Sequence, residues 1–467
     1  MEGNLQPQLG SPQTPEGALK NLRVFKPLQG FGAEFSHHSL HSATHNKQIL
    51  SLHTLKQGYM KKIKLGILPE EKNPPEKRVA FTPLQCTELM RAHPGLEIYV
   101  QKYASRCYTD AEYESFGLPL VDDLSHCDIL MGLKEMPVDK LIPGKKYFMF
   151  SHTMKKQPYN AKLLKGMLAK NVQLMDYECL TDKEHNRIIG FGRYAGIIGA
   201  YNGILGYGKR YNLFDIKPAN QCRDRKELEA ELGRVRLPNM KILVTGGGRV
   251  ANGVIETLGM LKIRKVTPYE FLHCSYREPV YCQLHSKDYY RPKDGSSWST
   301  ADFYSHPEKY VSTFLAFTKE CDLLMTAHYW DIKAPVLFTK DQMKLPDFHI
   351  SVIADITCDI NGSVPSTLKA STIAEPFYGY NQLTEQLDIP FNKNTITIMA
   401  VDNLPCELPR EASEDFGKEL IDRVMPSVFG EDTEGIIERA TICKDGKLTP
   451  HFTYLSDYAG VTEVAKG

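Results

Sequence analysis

Short apolar runs alternate along this chain with longer segments of helical periodicity, and that alternation restricts the fold more than any other feature. The runs are Ile63 to Leu68, Glu97 to Val100, Asp128 to Leu133, Tyr147 to Ser151, Lys241 to Thr245, Asp322 to Ala327, Ile350 to Ile356 and Thr395 to Val401. Strands that alternate with helices are joined by crossovers, so the expected fold class is α/β with largely parallel sheets. In open sheets of this kind ligands gather beyond the carboxyl ends of the strands. The residues following these runs are polar and reactive: Lys134, His152, Gly246, His328, Asp359 and Asp402.

A length of 467 residues leaves room for two or three domains of the usual ~150 residues. Lys+Arg 57 against Asp+Glu 56 gives a formal charge of +1, without the basic excess that holds a phosphate backbone, so no nucleic-acid partner is expected. Hydrophobic residues at 42% and charged residues at 24% match a soluble, folded composition. The 11 cysteines contain no CxxC pair and no zinc-type spacing, which reads as free thiols in a reducing cytoplasm and no metal site. The apolar stretch Tyr194 to Tyr207 falls short of the ~18 residues a membrane span needs, so no membrane partner is expected either. Residues 1–59 are rich in Gln, Ser, His and Gly and hold no apolar period, so they are expected to be a disordered tail, with Met60 opening a natural start. A transit peptide is the alternative for that segment.

Lys241 to Thr245 runs into Gly246-Gly247-Gly248-Arg249-Val250-Ala251 and then into a helical stretch, Val254 to Leu261. This is GxGxxA between a strand and a helix, the turn that lets a pyrophosphate approach a helix N-terminus. A flexible strand-to-helix loop is the plainer reading of the same glycines. Ile263 to Thr267 is the expected second strand, and Glu270 then lies at the ~20-residue spacing of a ribose-binding carboxylate, favouring NAD. Arg264, Lys265 and Arg277 stand nearby and keep NADP open.

Lys134 and His152 each end an apolar run, and adjacent strands would bring them to one rim as a pair able to exchange protons. Arg78 and Arg187 are candidates for bidentate contacts to a substrate carboxylate, with surface ion pairs as the alternative.

Together these segments resemble a known family, the alanine dehydrogenase and transhydrogenase-like proteins, and within it the lysine-forming saccharopine dehydrogenases and lysine-ketoglutarate reductases. The carrying segments are EKRVAFTP (Glu76 to Pro83), GLKEMP (Gly132 to Pro137), FSHTMK (Phe150 to Lys155), MDYECL (Met175 to Leu180), GFGRYAGIIGA (Gly190 to Ala200), ADITCDINGSVP (Ala354 to Pro365) and VDNLPCELPREAS (Val401 to Ser413). The resemblance implies two Rossmann-type domains flanking a cleft: residues 60–195, completed by 408–467, for the substrate, and 196–407 for NAD or NADP. It implies an oxidoreductase that interconverts saccharopine with lysine and 2-oxoglutarate. Lys134 matches the family's catalytic lysine and His152 its histidine, with Glu135 and Glu178 as acids near that pair. Gly246, Gly248 and Arg249 match the phosphate turn, and Asp359 and Asp402 match positions beside the nicotinamide. The chain departs from the saccharopine dehydrogenase pattern at Ser151 and Thr153, and its segment His306 to Phe314 looks more like the reductase branch, which uses NADP. An alanine dehydrogenase-like activity and a catalytically silent nucleotide-binding protein are the competing expectations; the oligomeric state is left open.

Overall fold

The structure, a computed structural model, describes residues 62–71 and 76–461, so the tail expected over residues 1–59 lies outside the described residues. Strands β1 (Ile63–Ile67), β2 (Leu96–Gln101), β3 (Leu120–Val121), β4 (Ile129–Met131), β5 (Lys146–Met149) and β6 (Gln173–Asp176) form the first sheet. The second contains β7 (Lys241–Thr245), β8 (Arg264–Val266), β9 (Val280–Leu284), β12 (Leu323–Thr326), β13 (Val352–Asp355), β14 (Phe377–Asn381), β15 (Gln386–Asp388) and β16 (Ile396–Met399). A separate hairpin, β10 (Tyr290–Pro292) and β11 (Tyr310–Ser312), interrupts the second unit between β9 and β12. The chain then returns, and β17 (Thr441–Lys444) with β18 (Lys447–Leu448) extends the first sheet antiparallel to β6.

Both sheets have eight strands, ordered β18-β17-β6-β5-β4-β1-β2-β3 and β15-β14-β16-β13-β12-β7-β9-β8. Their central pairs are parallel, as the alternation of runs and helices requires. Strands β12, β13 and β16 are buried at every position, which is why their sequences are continuous apolar runs without alternation. In each sheet the chain leaves the first strand in opposite directions, creating a crevice between β1 and β4 and another between β7 and β12.

One order differs from the expectation. Ile263 to Thr267 contains a strand, β8, but it lies at the sheet edge, and β9 is the strand beside β7. The short β8 is exposed at Arg264 and Lys265, consistent with an edge position.

Two helices set the glycine turn in place, α1 (Gly192–Tyr211) and α2 (Arg249–Met260). They cross backbone to backbone: a Cβ on Gly196 would lie 1.9 Å from Val250 O, and one on Gly253 2.0 Å from Arg193 O. A methyl group at either place forces the helices apart, so Gly253→Ala is expected to lower unfolding stability by about 1–3 kcal/mol or more, measured by urea denaturation. An unchanged midpoint would refute the close crossing.

Candidate active site

The crevice of the first sheet is framed by Glu70, three residues beyond β1, and Lys134, three beyond β4. Glu70 is buried, and its carboxyl group accepts the backbone N–H groups of Leu133 and Lys134, the latter at 2.9 Å. Burial pushes the Glu70 carboxyl up to about 8; the Lys134 and Leu133 N–H groups and Arg78 pull it back only in part. Gly132 leaves the space this arrangement needs, since a Cβ there would meet Glu70 Oε1 at 3.2 Å. Glu70 thus fixes the loop that presents Lys134, a role the sequence reading did not find.

His152 lies just beyond β5, next to β4, at the same rim. Its backbone is left-handed, φ 52 and ψ 12, a conformation that side-chain-bearing residues seldom adopt and that surrounding contacts must enforce. Those contacts are visible on either side. Ser151 donates its N–H to Asp176 Oδ2 at 2.9 Å, and its hydroxyl group lies 2.8 Å from that of Thr153. The two residues that depart from the family pattern are therefore turned inward and buried, while His152 is partly exposed. His152 Nδ1 lies 2.6 Å from Glu135 Oε1, and Asn160 Nδ2 donates to the same oxygen at 3.1 Å and to Ser151 O at 2.9 Å. An acceptor carboxylate at Nδ1 places the ring proton there and leaves the Nε2 lone pair to act as a base. Glu135, expected as an acid near the Lys134 and His152 pair, is thus the orienting partner of His152, and Asn160 holds Glu135.

Glu178 Oε1 accepts from Lys155 Nζ at 2.8 Å and lies 3.5 Å from Arg187. Burial alone would raise the Glu178 carboxyl; Lys155, Arg187 and His152 outweigh it and hold the group below the usual carboxylate range. Arg187 lies over the Phe150 ring at 5.3 Å, with its side chain 42% exposed, so it remains open to a further anion. Glu178 is engaged with two cations through Oε1.

Arg78 requires a correction. Its guanidinium is buried and forms a bidentate pair with Glu76 at 2.8 and 2.7 Å, with a third bond to Asn403 Oδ1 at 3.0 Å and the Phe191 ring beneath. Burial works against ionisation of Glu76, but Arg78 holds its carboxyl down at about 2. The expected clamp is an internal strut tying β1's following loop to the residues after β16.

On the second sheet, β7 delivers Gly246 at φ 97, a conformation suited to glycine, where a Cβ would lie 2.5 Å from Ala327 O. Gly248 is the N-cap of α2 and meets nothing within 4 Å on its side-chain face. A cavity of about 740 Å³ opens over this turn, bordered by His285, Ser286 and Lys287 after β9 and by His328 after β12. This cradle fits the phosphates of a dinucleotide. Arg249 borders it too, but its guanidinium bonds Ile188 O at 2.6 Å and Glu419 at 3.2 Å, away from the turn. Glu270 does not border the cavity. It is the N3 residue of a capping box, accepting from the Thr267 N–H and hydroxyl groups, because its strand is the outer one of the pair. Asp359 follows β13 and Asp402 follows β16; both are exposed, and Lys155 acts electrostatically on Asp359 from the other sheet's rim. Burial and Asp355 raise the Asp359 carboxyl above its ordinary range. Among the described residues no cluster of His, Cys, Asp and Glu is suited to a metal ion, and no helix is long and apolar enough to cross a membrane.

Two lobes of largely parallel sheet, with the Lys134 and His152 rim on one and a glycine turn on the other, make two Rossmann-type units. Residues 67–198 match the family described as alanine dehydrogenase/PNT, N-terminal domain. The chain is similar to alpha-aminoadipic semialdehyde synthases and saccharopine dehydrogenases. It is 29% identical over 442 residues to the alpha-aminoadipic semialdehyde synthase of Arabidopsis thaliana, covering 84% of this chain and 41% of that protein. Identity to the mitochondrial alpha-aminoadipic semialdehyde synthase of Bos taurus is 26%, covering 86% and 48%. The chain therefore spans less than half the length of these relatives. Against the saccharopine dehydrogenase [NAD(+), L-lysine-forming] of Emericella nidulans it is 26% identical, covering 78% of this chain and 90% of that one. A solved L-alanine dehydrogenase shares the fold with TM-score 0.54 and 15% identity, covering 85% of this chain and 99% of that one. A transhydrogenase from Sinorhizobium meliloti does so with TM-score 0.50 and 14% identity, covering 83% and 98%.

Proposed function

We propose that this protein is an oxidoreductase interconverting saccharopine with L-lysine and 2-oxoglutarate, with NAD or NADP as hydride carrier. The observation that carries the reading is the pairing of Lys134 with a Glu135-oriented His152 at one strand rim. The homology to enzymes named for saccharopine chemistry supports it. Bound nicotinamide supplies the hydride acceptor in the lysine-forming direction. Lys134 takes the proton of the secondary amine as the adjacent C–H bond is broken, leaving a C=N bond in the substrate. His152 Nε2 then takes a proton from water as the hydroxide adds to the imine carbon and the nitrogen takes back the proton held by Lys134; the carbinol O–H gives its proton to the neutral Lys134 and becomes the keto oxygen as the C–N bond breaks, and the proton on His152 passes to lysine's departing nitrogen. Glu135 stabilises the imidazolium formed in that step. Arg187 and Lys155 bind the carboxylates of 2-oxoglutarate. Formation of saccharopine from lysine, 2-oxoglutarate and reduced nucleotide, identified by mass spectrometry, tests the proposal. Turnover confined to ammonia and pyruvate would make the chain an alanine dehydrogenase instead.

His285, Ser286 and Lys287 stand where a carboxylate would discriminate for an unphosphorylated ribose, and this basic rim favours a 2′-phosphate. Lys287→Ala is expected to raise the KM for NADPH about tenfold and leave that for NADH within twofold; equal effects on both would remove Lys287 from the discrimination. The thiols are all free, which suits a reducing compartment, and cell fractionation distinguishes the cytoplasm from the mitochondrion.

A further inference from the structure

A second cavity, of about 560 Å³, opens where the chain passes back from the second sheet to the first. Residues 404–412 make the passage: Leu404, Leu408 and Ala412 pack in the core of the second sheet, and Phe416 and Leu420, further along the helix Pro409–Arg423, in that of the first. Both sides contribute walls. Lys77, which precedes Ala80 and Phe81 of the first core, borders the cavity, and so does Arg223, which precedes the helix Arg225–Gly233 with Leu228 and Leu232 in the second core. Neither the glycine turn nor Lys134, His152 and Arg187 border it, so the reaction proposed above makes no use of this cavity.

The border carries four cations, Lys77, Arg106, Arg223 and Arg410, against two acids, Glu407 and Glu411. Glu407 is buried and accepts from Asn202 Nδ2 at 2.8 Å; burial raises its carboxyl to about 8 against the pull of Asn202 and Asn220, so it adds no charge at neutral pH. Glu411 Oε1 accepts the Arg225 N–H at 2.9 Å. Two of the cations are committed to the fold: Arg106 lies 3.2 Å from Asp110, and Arg410 bonds Glu112 at 2.6 Å and Cys107 O at 2.8 Å. The other two are not. Lys77 is exposed and has no ion-pair partner among the described residues. The Arg223 side chain is 83% exposed and meets Glu227 through Nε at 3.4 Å, which leaves both terminal nitrogens open. Uncompensated cations on the border of a concave site draw in anions, and an open guanidinium fork suits carboxylate or phosphate oxygens.

We propose that this cavity binds a small multivalent oxyanion, carrying carboxylate or phosphate groups, held by Lys77 from one side of the passage and by Arg223 from the other. One ligand held from both sides braces the passage that joins the two sheets. The passage also touches the strut beside the catalytic rim: Cys406 donates its Sγ–H to Glu76 Oε1 at 3.1 Å, Glu76 holds Arg78, and Lys134 acts electrostatically on the Cys406 thiol.

Calorimetry on the full chain tests the site with citrate and with inorganic pyrophosphate, at constant ionic strength and with NADPH present to fill the glycine turn. At least one of the two is expected to bind once per chain, and the tighter one tells carboxylate from phosphate recognition. Arg223→Ala and Lys77→Ala are each expected to weaken that probe at least tenfold and to leave the Kd for NADPH within twofold. Both side chains are exposed, so their replacement spares the core. The bound probe is also expected to slow amide hydrogen exchange over residues 404–411 in the wild type and not in Arg223→Ala. Failure of both probes to bind the wild-type protein, binding that either substitution leaves unchanged, or exchange in the passage that ignores the probe overturns the proposal.

Discussion

Lys134→Met is expected to reduce kcat by about three orders of magnitude or more while the Kd for reduced nucleotide stays within twofold. General-base catalysis contributes about 10²–10⁴ in rate, and methionine has no group that accepts the proton. The cofactor cradle is built on the other sheet, around Gly246 and Gly248, and Lys134 is not among the residues that border its cavity. Stopped-flow turnover and fluorescence titration separate the two effects. A variant with wild-type turnover would eliminate Lys134 as the base, and one that loses nucleotide binding would show that the lobes do not divide the work in this way.

Glu70→Ala is the second large effect. Removing the carboxyl group leaves the N–H groups of Leu133 and Lys134 buried without their acceptor, at about 1–3 kcal/mol each. The loop that presents Lys134 then relaxes, and displacement of a catalytic group by about 1 Å is enough for a 10²-fold loss in kcat. The substitution also has a pH signature. The Glu70 carboxyl is raised to about 8 in the folded protein from an ordinary 4.5, so between those values the folded state retains a proton that the unfolded state releases. Its contribution to stability is intact below pH 4.5 and is lost as pH rises through 8. Glu407, buried and likewise raised to about 8, adds a slope of the same sign. The stability gap between wild type and Glu70→Ala should accordingly narrow from pH 5 to pH 8.5 in urea titrations. A gap that widens with pH would mean that Glu70 is ionised at neutrality.

What was legible in the sequence depended on how local its cause is. Lys241 to Thr245 became β7 at its expected limits, and Lys134, His152 and Gly246 lie at strand ends because strand, end and following residue are adjacent in the chain. Glu70 and Asn160 were missed because each is a plain polar residue whose role depends on a partner brought close by sheet pairing, Glu70 across 64 positions from Lys134. Glu270 was misplaced for a related reason. Its spacing from the glycines was correct, but strand order is a tertiary property, and β9 rather than β8 took the place beside β7. Arg78 differs from the expectation at short range: Glu76, two positions earlier, has the reach to close a bidentate pair on its Nε and Nη2. Ser151 and Thr153 depart from the family pattern on either side of the histidine. Folded, both hydroxyl groups are buried, and the strained backbone between them is what turns His152 toward the rim.

The central claim is the chemistry at Lys134 and His152, and the most direct test follows absorbance at 340 nm as the protein oxidises NADPH or NADH in the presence of 2-oxoglutarate. Addition of L-lysine is expected to start the oxidation, with NADPH the better donor, and ammonia with pyruvate is expected to leave it at background. Oxidation that ignores lysine and runs on ammonia and pyruvate, or no oxidation with either pair, would contradict the account.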